Sequence, residues 1–283
     1  MRPLQGALEI CSINTATLGY QLPIDKTLDA IARAGFGGVA PWRREIEAAN
    51  VKSVATQIRA LGLRVSGYCR STYFTAPSRE KFLASIADNR NAIDQAAELG
   101  AACYVLLAGG PPEGSKDLAG AREQSAQAIA ILWEHAKSCG VTLAIEPLHP
   151  MYAADRSCIV TLEQGLDLCE RIDPRREGFL GVAVDVYHCW WDPKLSEMIR
   201  RGCAENRVVA YHVSDWLVPT RDMLLDRGMM GDGVIELQKI RATLEGAGYI
   251  GAVEVEIFSQ HNWWRRDVDE TLEVCAERLQ STC

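Results

Sequence analysis

Gly181-Val-Ala-Val-Asp185-Val-Tyr-His188-Cys-Trp-Trp191 is the stretch from which the fold can be inferred. Residues 182–184 are small, apolar and mostly β-branched, which is typical of a strand buried on both faces of a parallel sheet. The apolar run stops at the carboxylate of Asp185, and His188 follows three residues later. The sequence therefore predicts that a core strand ends here beside an ionisable pair. For this stretch taken alone, a strand cap followed by a surface loop is the alternative.

A short apolar run followed by a helical pattern recurs along the whole chain. Four of the predicted helices end at Gly35, Gly62, Gly100 and Gly140, and glycine readily takes the left-handed conformation found at helix C-termini. The predicted strands are 8–13, 36–40, 64–68, 103–107, 141–145, 179–184, 208–212 and 252–257. The predicted helices are 24–34, 51–61, 79–99, 118–139, 162–172, 195–202, 234–246 and 268–279.

These eight strand-and-helix units occupy a chain of 283 residues, and neither a Pro/Gly/Ser-rich linker nor a shift in composition divides them. We therefore predict an α/β fold with a single (β/α)8 TIM barrel over residues 1–283. An open, doubly wound sheet is the structural alternative. The distinction matters for function, because a barrel gathers the C-terminal ends of all eight strands around one pocket.

Composition and charge exclude several classes of partner. The formal net charge is −7, whereas a nucleic-acid surface needs clustered Lys and Arg. No apolar run approaches the roughly 20 residues that span a bilayer, and the N-terminus lacks the apolar core of a signal peptide. The ten cysteines are scattered singly, which favours buried free thiols in a reducing compartment. We expect a cytoplasmic protein that binds neither nucleic acid nor membrane.

Four consecutive predicted strands end in ionisable residues, namely Glu146, Asp185, His212 and Glu256. Buried carboxylates without partners are costly, so three of them facing one imidazole need a shared cation. Oxygen-rich ligation with one imidazole and no thiolate suits Mn²⁺, Mg²⁺ or Co²⁺ better than a structural zinc. We expect one divalent ion, with Mn²⁺ as the first choice and Zn²⁺ also compatible. Taken singly, each residue has a helix cap or a solvated loop charge as its alternative. Glu254 is the alternative to Glu256 as a ligand.

The set formed by Glu146, Asp185-x-x-His188, His212 and Glu256 resembles that of the xylose isomerase-like barrels, specifically the sugar phosphate isomerase/epimerase group. That group includes ketose 3-epimerases and enzymes of inositol breakdown. The resemblance extends over nearly the whole chain. Its further segments are Ser12-Ile-Asn14-Thr-Ala-Thr17, Ala40-Pro-Trp42-Arg43, Val255-Glu-Ile-Phe258 and Trp263-Trp264.

The resemblance implies that Glu146, Asp185, His212 and Glu256 bind the metal ion, and that the two glutamates also act as the catalytic acid/base pair. A metal that chelates a carbonyl and the neighbouring hydroxyl acidifies the adjacent C–H, so one carboxylate removes the proton and the metal stabilises the enediolate. Return of the proton to the other carbon isomerises the substrate, and return from the other face epimerises it. Where a leaving group lies β to the carbanion, the same intermediate eliminates it.

Five further residues are substrate-binding candidates: His188, Arg227, Trp42, His149 and Trp216. Indole faces stack on the C–H faces of sugar rings, which favours a carbohydrate ligand for the tryptophans. Packing against a second subunit is their alternative, and we expect a homo-oligomer. The alternative for His188 is a hydrogen-bonded rim histidine, and His149 is either a group behind the site or a further acid/base.

Arg227 lies in the glycine-rich segment 225–233, which can approach a ligand closely. A salt bridge to Asp226 or Asp232 is the alternative role for its guanidinium. The loops after the seventh and eighth predicted strands show no glycine-rich phosphate cradle opening a helix, and Asp232, between Gly231 and Gly233, would repel a phosphate. The sequence therefore favours an unphosphorylated substrate.

We expect a divalent-metal-dependent isomerase or epimerase that acts on an unphosphorylated keto-sugar or cyclitol. A lyase or dehydratase that eliminates a group from a keto-sugar or 3-keto-glycoside is the enzymatic alternative. A metal- and sugar-binding protein without turnover is the alternative from another class. An apurinic-site endonuclease is disfavoured by the acidic charge and by too few histidines for a multi-zinc cluster.

Overall fold

Ten strands and ten α-helices make up the computed structural model, which describes residues 1–283. The strands are β1 Cys11–Asn14, β2 Gly38–Ala40, β3 Arg64–Val65, β4 Cys103–Leu106, β5 Thr142–Ile145, β6 Leu180–Asp185, β7 Val208–Val213, β8 Asp215–Trp216, β9 Arg227–Gly228 and β10 Val253–Val255. The helices are α1 Ile24–Arg33, α2 Arg43–Glu47, α3 Val51–Ala60, α4 Arg79–Leu99, α5 Leu118–Cys139, α6 Leu162–Ile172, α7 Val186–Cys189, α8 Leu195–Ala204, α9 Leu237–Gly246 and α10 Val268–Thr282.

Eight of the strands form one parallel sheet in the order β3-β2-β1-β10-β7-β6-β5-β4. Hydrogen bonds join its two ends, because the N–H of Tyr68 donates to the carbonyl of Cys103 (2.9 Å) and the N–H of Val105 donates to the carbonyl of Tyr68 (3.0 Å). The TIM-barrel prediction is therefore confirmed. In such a barrel the carboxyl ends of all the strands surround one rim.

The barrel interior is filled by small side chains, whereas the larger core lies between the sheet and the helices. Cys103, Val105, Ala144, Ala183 and Ala210 form a buried cluster of their own. Every position of β6 is buried, as the composition of residues 182–184 predicts. A layer of small residues leaves space above it for long polar side chains that enter from the strand ends.

Several element boundaries differ from the sequence prediction. Residues Leu8–Ile10 form a 3-10 turn, so β1 begins three residues later than expected. The short helix α2 was not predicted, and neither was the antiparallel pairing of β8 with β9. Two-residue strands carry no periodic pattern by which a sequence could reveal them.

Helix α9 begins at Leu237 rather than at residue 234, because Asp215 holds the preceding segment in another conformation. The buried carboxylate of Asp215 accepts hydrogen bonds from the N–H groups of Gly231 (2.9 Å), Gly233 (2.8 Å) and Ile235 (3.0 Å). A carboxylate that satisfies several backbone donors competes effectively with helix formation. The 225–233 segment is thus folded around an internal anion.

Two further features concern the thiol groups and the apolar character of the helices. All ten cysteines are free, and eight of them are buried. None of the helices combines the length and the apolar character that crossing a membrane would require.

Gly181 provides a test of how tightly β6 packs against β7. A Cβ atom at this position would lie 2.3 Å from the carbonyl oxygen of Arg207, which is backbone and cannot rotate away. We expect Gly181→Ala to lower the free energy of unfolding by about 1–3 kcal/mol, as overpacking in a core does. Urea unfolding followed by circular dichroism measures the change.

Gly246 is the matched control, because it closes α9 and a Cβ there would meet nothing within 4 Å. Gly246→Ala should leave stability unchanged or raise it by up to about 1 kcal/mol through helix propensity. Equal stability of the two variants would contradict the packing seen at β6.

Candidate active site

Four ionisable side chains meet at the rim of the barrel. Glu146 follows β5, Asp185 ends β6, His212 lies in β7 and Glu256 follows β10. All four are buried, and each offers a ligand atom within 4.8 Å of the others. The structure therefore brings together the four residues that the strand ends select in the sequence. A second group that includes a cysteine, Asp94, His135 and Cys139, is more exposed and lies on the outer helices α4 and α5.

The imidazole of His212 turns one nitrogen to the rim and the other to the barrel interior. Its Nδ1 lies 2.9 Å from Oε1 of Glu146 and 3.8 Å from Oε2 of Glu256. Its Nε2 is buried without a hydrogen-bond partner and lies 3.7 Å from Oε1 of Glu254. A metal-ligating histidine commonly presents one nitrogen to the ion and the other towards a carboxylate, and the two nitrogens of His212 face the rim and Glu254 respectively, although the latter pair is too far apart for a hydrogen bond.

Glu254 lies below the rim rather than within the group of four. Its carboxylate accepts a hydrogen bond from the Ser66 hydroxyl (2.7 Å) and another from the Asn14 amide (2.9 Å). The same Asn14 amide nitrogen donates to Oε1 of Glu256 at 3.0 Å. By geometry, Glu256 is the ligand candidate on the β10 side of the rim, and Glu254 lies below it, 3.7 Å from Nε2 of His212.

The guanidinium of Arg227 lies among the carboxylates. Its Nη1 is 2.9 Å from Oδ2 of Asp185 and 3.1 Å from Oε2 of Glu256, and its Nη2 is 3.1 Å from Nε2 of His188. Arg227 reaches this position because β9 pairs with β8 directly after the rim of β7. A salt bridge to Asp226 or Asp232 is therefore the wrong interpretation of Arg227.

Asp226 and Asp232 have other partners. Asp226 pairs with Arg221 at 2.6 Å, and Asp232 pairs with Arg278 at 3.2 Å. Both carboxylates are thus neutralised locally, which leaves the guanidinium of Arg227 to the rim.

The surroundings shift the pKa values of two rim carboxyl groups in opposite directions. Burial opposes ionisation of Asp185, but Arg227 and His188 hold its pKa down at about 2. Burial together with the neighbouring Glu146 carboxylate raises the pKa of Glu256 well above its usual range, against the effect of Arg227. The rim therefore combines a carboxylate that stays ionised with one that readily holds a proton.

The two rim histidines also differ. Burial lowers the pKa of His188 to about 3, despite the nearby Asp185. Its ring nitrogens face two donors, the backbone N–H of His149 (3.2 Å) and the guanidinium of Arg227 (3.1 Å), and a neutral imidazole can accept only one of these hydrogen bonds. Burial would also lower the pKa of His212, but the carboxylates of Glu254 and the rim raise it well above its usual value.

The donor set fits a divalent cation. Three carboxyl groups and one imidazole converge in a buried site, with ligand atoms within 4.8 Å of one another, and a divalent ion would let all three carboxyl groups ionise beside a neutral His212. Oxygen-rich sites with one imidazole suit Mn²⁺, Mg²⁺ and related ions, and Zn²⁺ also accepts these ligands. The residues that would hold it are Glu146, Asp185, His212 and Glu256.

A narrow cleft opens beside this group and is lined by Glu146, His188, Arg227 and Glu256. Trp42 forms part of its wall. The indole N–H of Trp42 donates to Oδ1 of Asn14 at 2.6 Å, and its ring packs edge-on against Phe258 with centroids 5.4 Å apart. The cleft therefore offers aromatic surface, hydrogen-bonding groups and the candidate metal ligands together.

His149 and Trp216 are not among the residues that line this cleft. Their rings stack on each other with centroids 5.0 Å apart, and Trp216 also packs against Tyr187. The backbone of His149 hydrogen-bonds to His188, so these two residues support the wall of the site. Direct contact with a substrate stays a prediction for both.

The cleft also contains residues that sequence reasoning did not select: Arg70, Tyr152, Arg156 and Leu224. Asn14 was likewise given no role, although it lies in a segment that carries the family resemblance and ends β1. The position of Asn14 at the end of a strand is the sequence feature that could have indicated a role at the rim. Arg156 lies ten residues beyond Glu146 in an irregular loop, where no local pattern indicates its place.

The chain resembles known proteins over almost its full length. Residues 28–277 match the model of a family described as xylose isomerase-like TIM barrel. A solved protein structure from Sinorhizobium meliloti 1021 is 49% identical, with a TM-score of 0.94 over 98% of this chain and 99% of that chain. No curated protein matches the chain by sequence.

Two more distant structures share the fold. The IolI protein, solved with a bound zinc atom, is 17% identical, with a TM-score of 0.80 over 95% of this chain and 96% of that chain. The 3-keto-D-glucoside 4-epimerase from E. coli is 18% identical, with a TM-score of 0.74 over 97% of this chain and 99% of that chain. The match over residues 28–277 and the 49% identical relative lead to one conclusion: the chain belongs to the xylose isomerase-like TIM barrel family.

Proposed function

We propose that this protein is a divalent-metal-dependent isomerase or epimerase that acts on an unphosphorylated keto-sugar or cyclitol through an enediolate. The observation that supports it is the group Glu146, Asp185, His212 and Glu256, whose ligand atoms lie within 4.8 Å of one another beside a cleft. Both glutamates line the cleft. The 3-keto-D-glucoside 4-epimerase with the same fold gives independent support for sugar chemistry.

One divalent ion completes this site in our proposal, with Mn²⁺ as the first choice. When bound, such an ion polarises a substrate carbonyl and stabilises the negative charge that develops on its oxygen. The IolI protein of the same fold binds a zinc atom, which is consistent with a metal-binding role for this chain.

Glu146 and Glu256 carry the proton transfers. General acid/base catalysis needs one carboxylate that accepts a proton and another group that donates one. Both carboxyl groups line the cleft, where each can exchange a proton with a bound substrate. Neutral His188 and charged Arg227 lie beside them in the cleft and orient the substrate oxygens.

The glycine-rich segment after β9 is consistent with an unphosphorylated substrate. The N–H groups of Gly231 and Gly233 both donate to Oδ2 of Asp215, at 2.9 Å and 2.8 Å, so neither is free to bind a phosphate. An internal carboxylate thus occupies the position of a bound anion. Repulsion by Asp232 is not the physical reason for excluding a phosphate, because Asp232 is paired with Arg278. The reason is that Asp215 already occupies the backbone donors.

Metal binding can be tested without a substrate. We expect Mn²⁺ to bind with one ion per chain and to raise the melting temperature, because the ion relieves repulsion among buried carboxylates. Asp185→Asn should weaken binding by at least about tenfold, since one charged ligand is lost. Isothermal titration calorimetry measures both affinities.

His135→Gln is the control, because it alters the other group of possible ligands, on α4 and α5. It should leave the affinity for Mn²⁺ unchanged. If His135→Gln abolished binding and Asp185→Asn did not, the metal would not lie at the barrel rim.

Proton exchange tests the reaction class. With Mn²⁺ bound, we expect deuterium from D₂O to enter the carbon beside the carbonyl in at least one member of a panel of ketohexoses, inososes and 3-keto-glycosides. Glu146→Gln and Glu256→Gln should each slow this exchange by about 10²-fold or more, the usual contribution of a general acid or base. Proton NMR follows the exchange and identifies the product.

The product distinguishes the candidate functions. A rearranged or epimerised sugar supports the proposal, whereas an elimination product assigns the protein to the lyases. Binding of a sugar without exchange, unchanged in both glutamine variants, would identify a binding protein without turnover. Metal-stripped protein is the blank for each measurement.

A further inference from the structure

Three arginines line the cleft, and only one of them forms ion pairs with other residues of the chain. Arg227 is committed to the carboxylates of Asp185 and Glu256. Arg70 and Arg156 also line the cleft, but neither forms an ion pair within the chain. Two positive charges are therefore directed to the cleft without an internal anion to balance them.

Each of these two guanidinium groups is supported by a tyrosine ring. The Cζ atom of Arg70 lies 4.9 Å from the ring centroid of Tyr73, and that of Arg156 lies 5.5 Å from the ring centroid of Tyr152. Cation–π contact holds a guanidinium by its face and leaves the N–H donors at its edge free. Arg70 uses one N–H on the carbonyl of Ser71 at 3.2 Å, and Arg156 donates to no protein acceptor.

The tyrosine beneath Arg156 is itself fixed. The hydroxyl of Tyr152 donates to the carbonyl of Met223 at 2.6 Å, so the ring joins the loop after β5 to the loop after β8. A guanidinium on an anchored ring loses little conformational freedom when it binds an anion. Arg156 is therefore arranged as a preorganised donor at the cleft wall.

The four candidate metal ligands do not need the charges of Arg70 and Arg156 for their neutralisation. Glu146, Asp185 and Glu256 carry three negative charges, Arg227 supplies one positive charge, and a divalent ion would supply two. With His212 as a neutral ligand, these four residues are then balanced, while the carboxylate of Glu254 below them accepts hydrogen bonds from Ser66 and Asn14. The charges of Arg70 and Arg156 remain available for a negative group that arrives with the ligand.

We propose that Arg70 and Arg156 bind a carboxylate carried by the substrate, so that the enzyme acts on acidic keto-sugars. This inference rests on the proposed function for the keto-sugar and adds the charged group. A planar guanidinium pairs with a carboxylate through two parallel hydrogen bonds, and such charge-assisted contacts are the strong ones. The carbonyl end of the substrate then lies at the metal group and the acidic end lies between the two arginines.

The test compares three ligands that differ at one carbon: D-fructuronate, D-fructose and D-fructose 6-phosphate. Isothermal titration calorimetry with the Mn²⁺-loaded full chain reports binding without turnover. We expect D-fructuronate to bind at least about tenfold more tightly than D-fructose, as a charge-assisted hydrogen bond provides. Arg70→Gln and Arg156→Gln should each reduce this preference, measured as the ratio of the two affinities in the same variant.

Arg44 is the matched control, because its guanidinium lies 4.2 Å from the ring centroid of Tyr20 in the same kind of contact outside this cleft. Arg44→Gln should preserve the full preference for D-fructuronate. Three outcomes would overturn the proposal: no measurable binding of D-fructuronate, a preference that survives in the Arg70→Gln/Arg156→Gln double variant, or tighter binding of the phosphate ester.

Failure of the proposed function gives a different result. If no sugar exchanges a proton but the arginine-dependent preference for D-fructuronate persists, the acid site stands and the enolising reaction does not. If exchange occurs equally well on neutral and acidic sugars and affinity does not distinguish them, the reaction stands and the acid site does not.

Discussion

Concentrated negative charge at one end of the barrel is the constraint on which the site depends. Glu146, Asp185 and Glu256 are buried side by side around His212, and like charges in a low-dielectric environment repel strongly unless cations lie between them. Arg227 supplies part of the compensation from a hairpin that no barrel fold requires. The negative charge that Arg227 leaves uncompensated is the physical argument for a divalent ion. The same charge explains why the carboxylates differ in proton affinity.

The interior beneath the rim is built to orient this group. Asn14 connects Trp42 on one side with Glu254 and Glu256 on the other, through hydrogen bonds of 2.6, 2.9 and 3.0 Å. Glu254 faces the inner nitrogen of His212, so the outer nitrogen is left for the rim. Small residues deeper in the barrel make room for these long polar side chains. Catalytic geometry depends on such supporting contacts as much as on the ligands themselves.

Asp215 organises the segment that follows β9. By accepting backbone hydrogen bonds from the segment 231–235, it folds the chain after β9 into a fixed turn and delays the start of α9. The same contacts occupy donors that a phosphate would need. Three arginine side chains supply positive charge to the cleft. Arg227 lies beside the candidate metal ligands, and Arg70 and Arg156 line the wall.

Local pattern in the sequence determined the eight strand-and-helix units, the barrel and the residue types at the strand ends, because periodicity and strand termination depend on neighbouring residues. Tertiary structure alone decided the partners. Asp185 and Arg227 are 42 residues apart in the chain, and their contact depends on a hairpin too short to carry a pattern. Glu254 and Glu256 share one strand face, so only the height of each side chain within the barrel separates a ligand from its support. Arg156 lies in an irregular loop, and its place in the cleft follows from how distant loops pack.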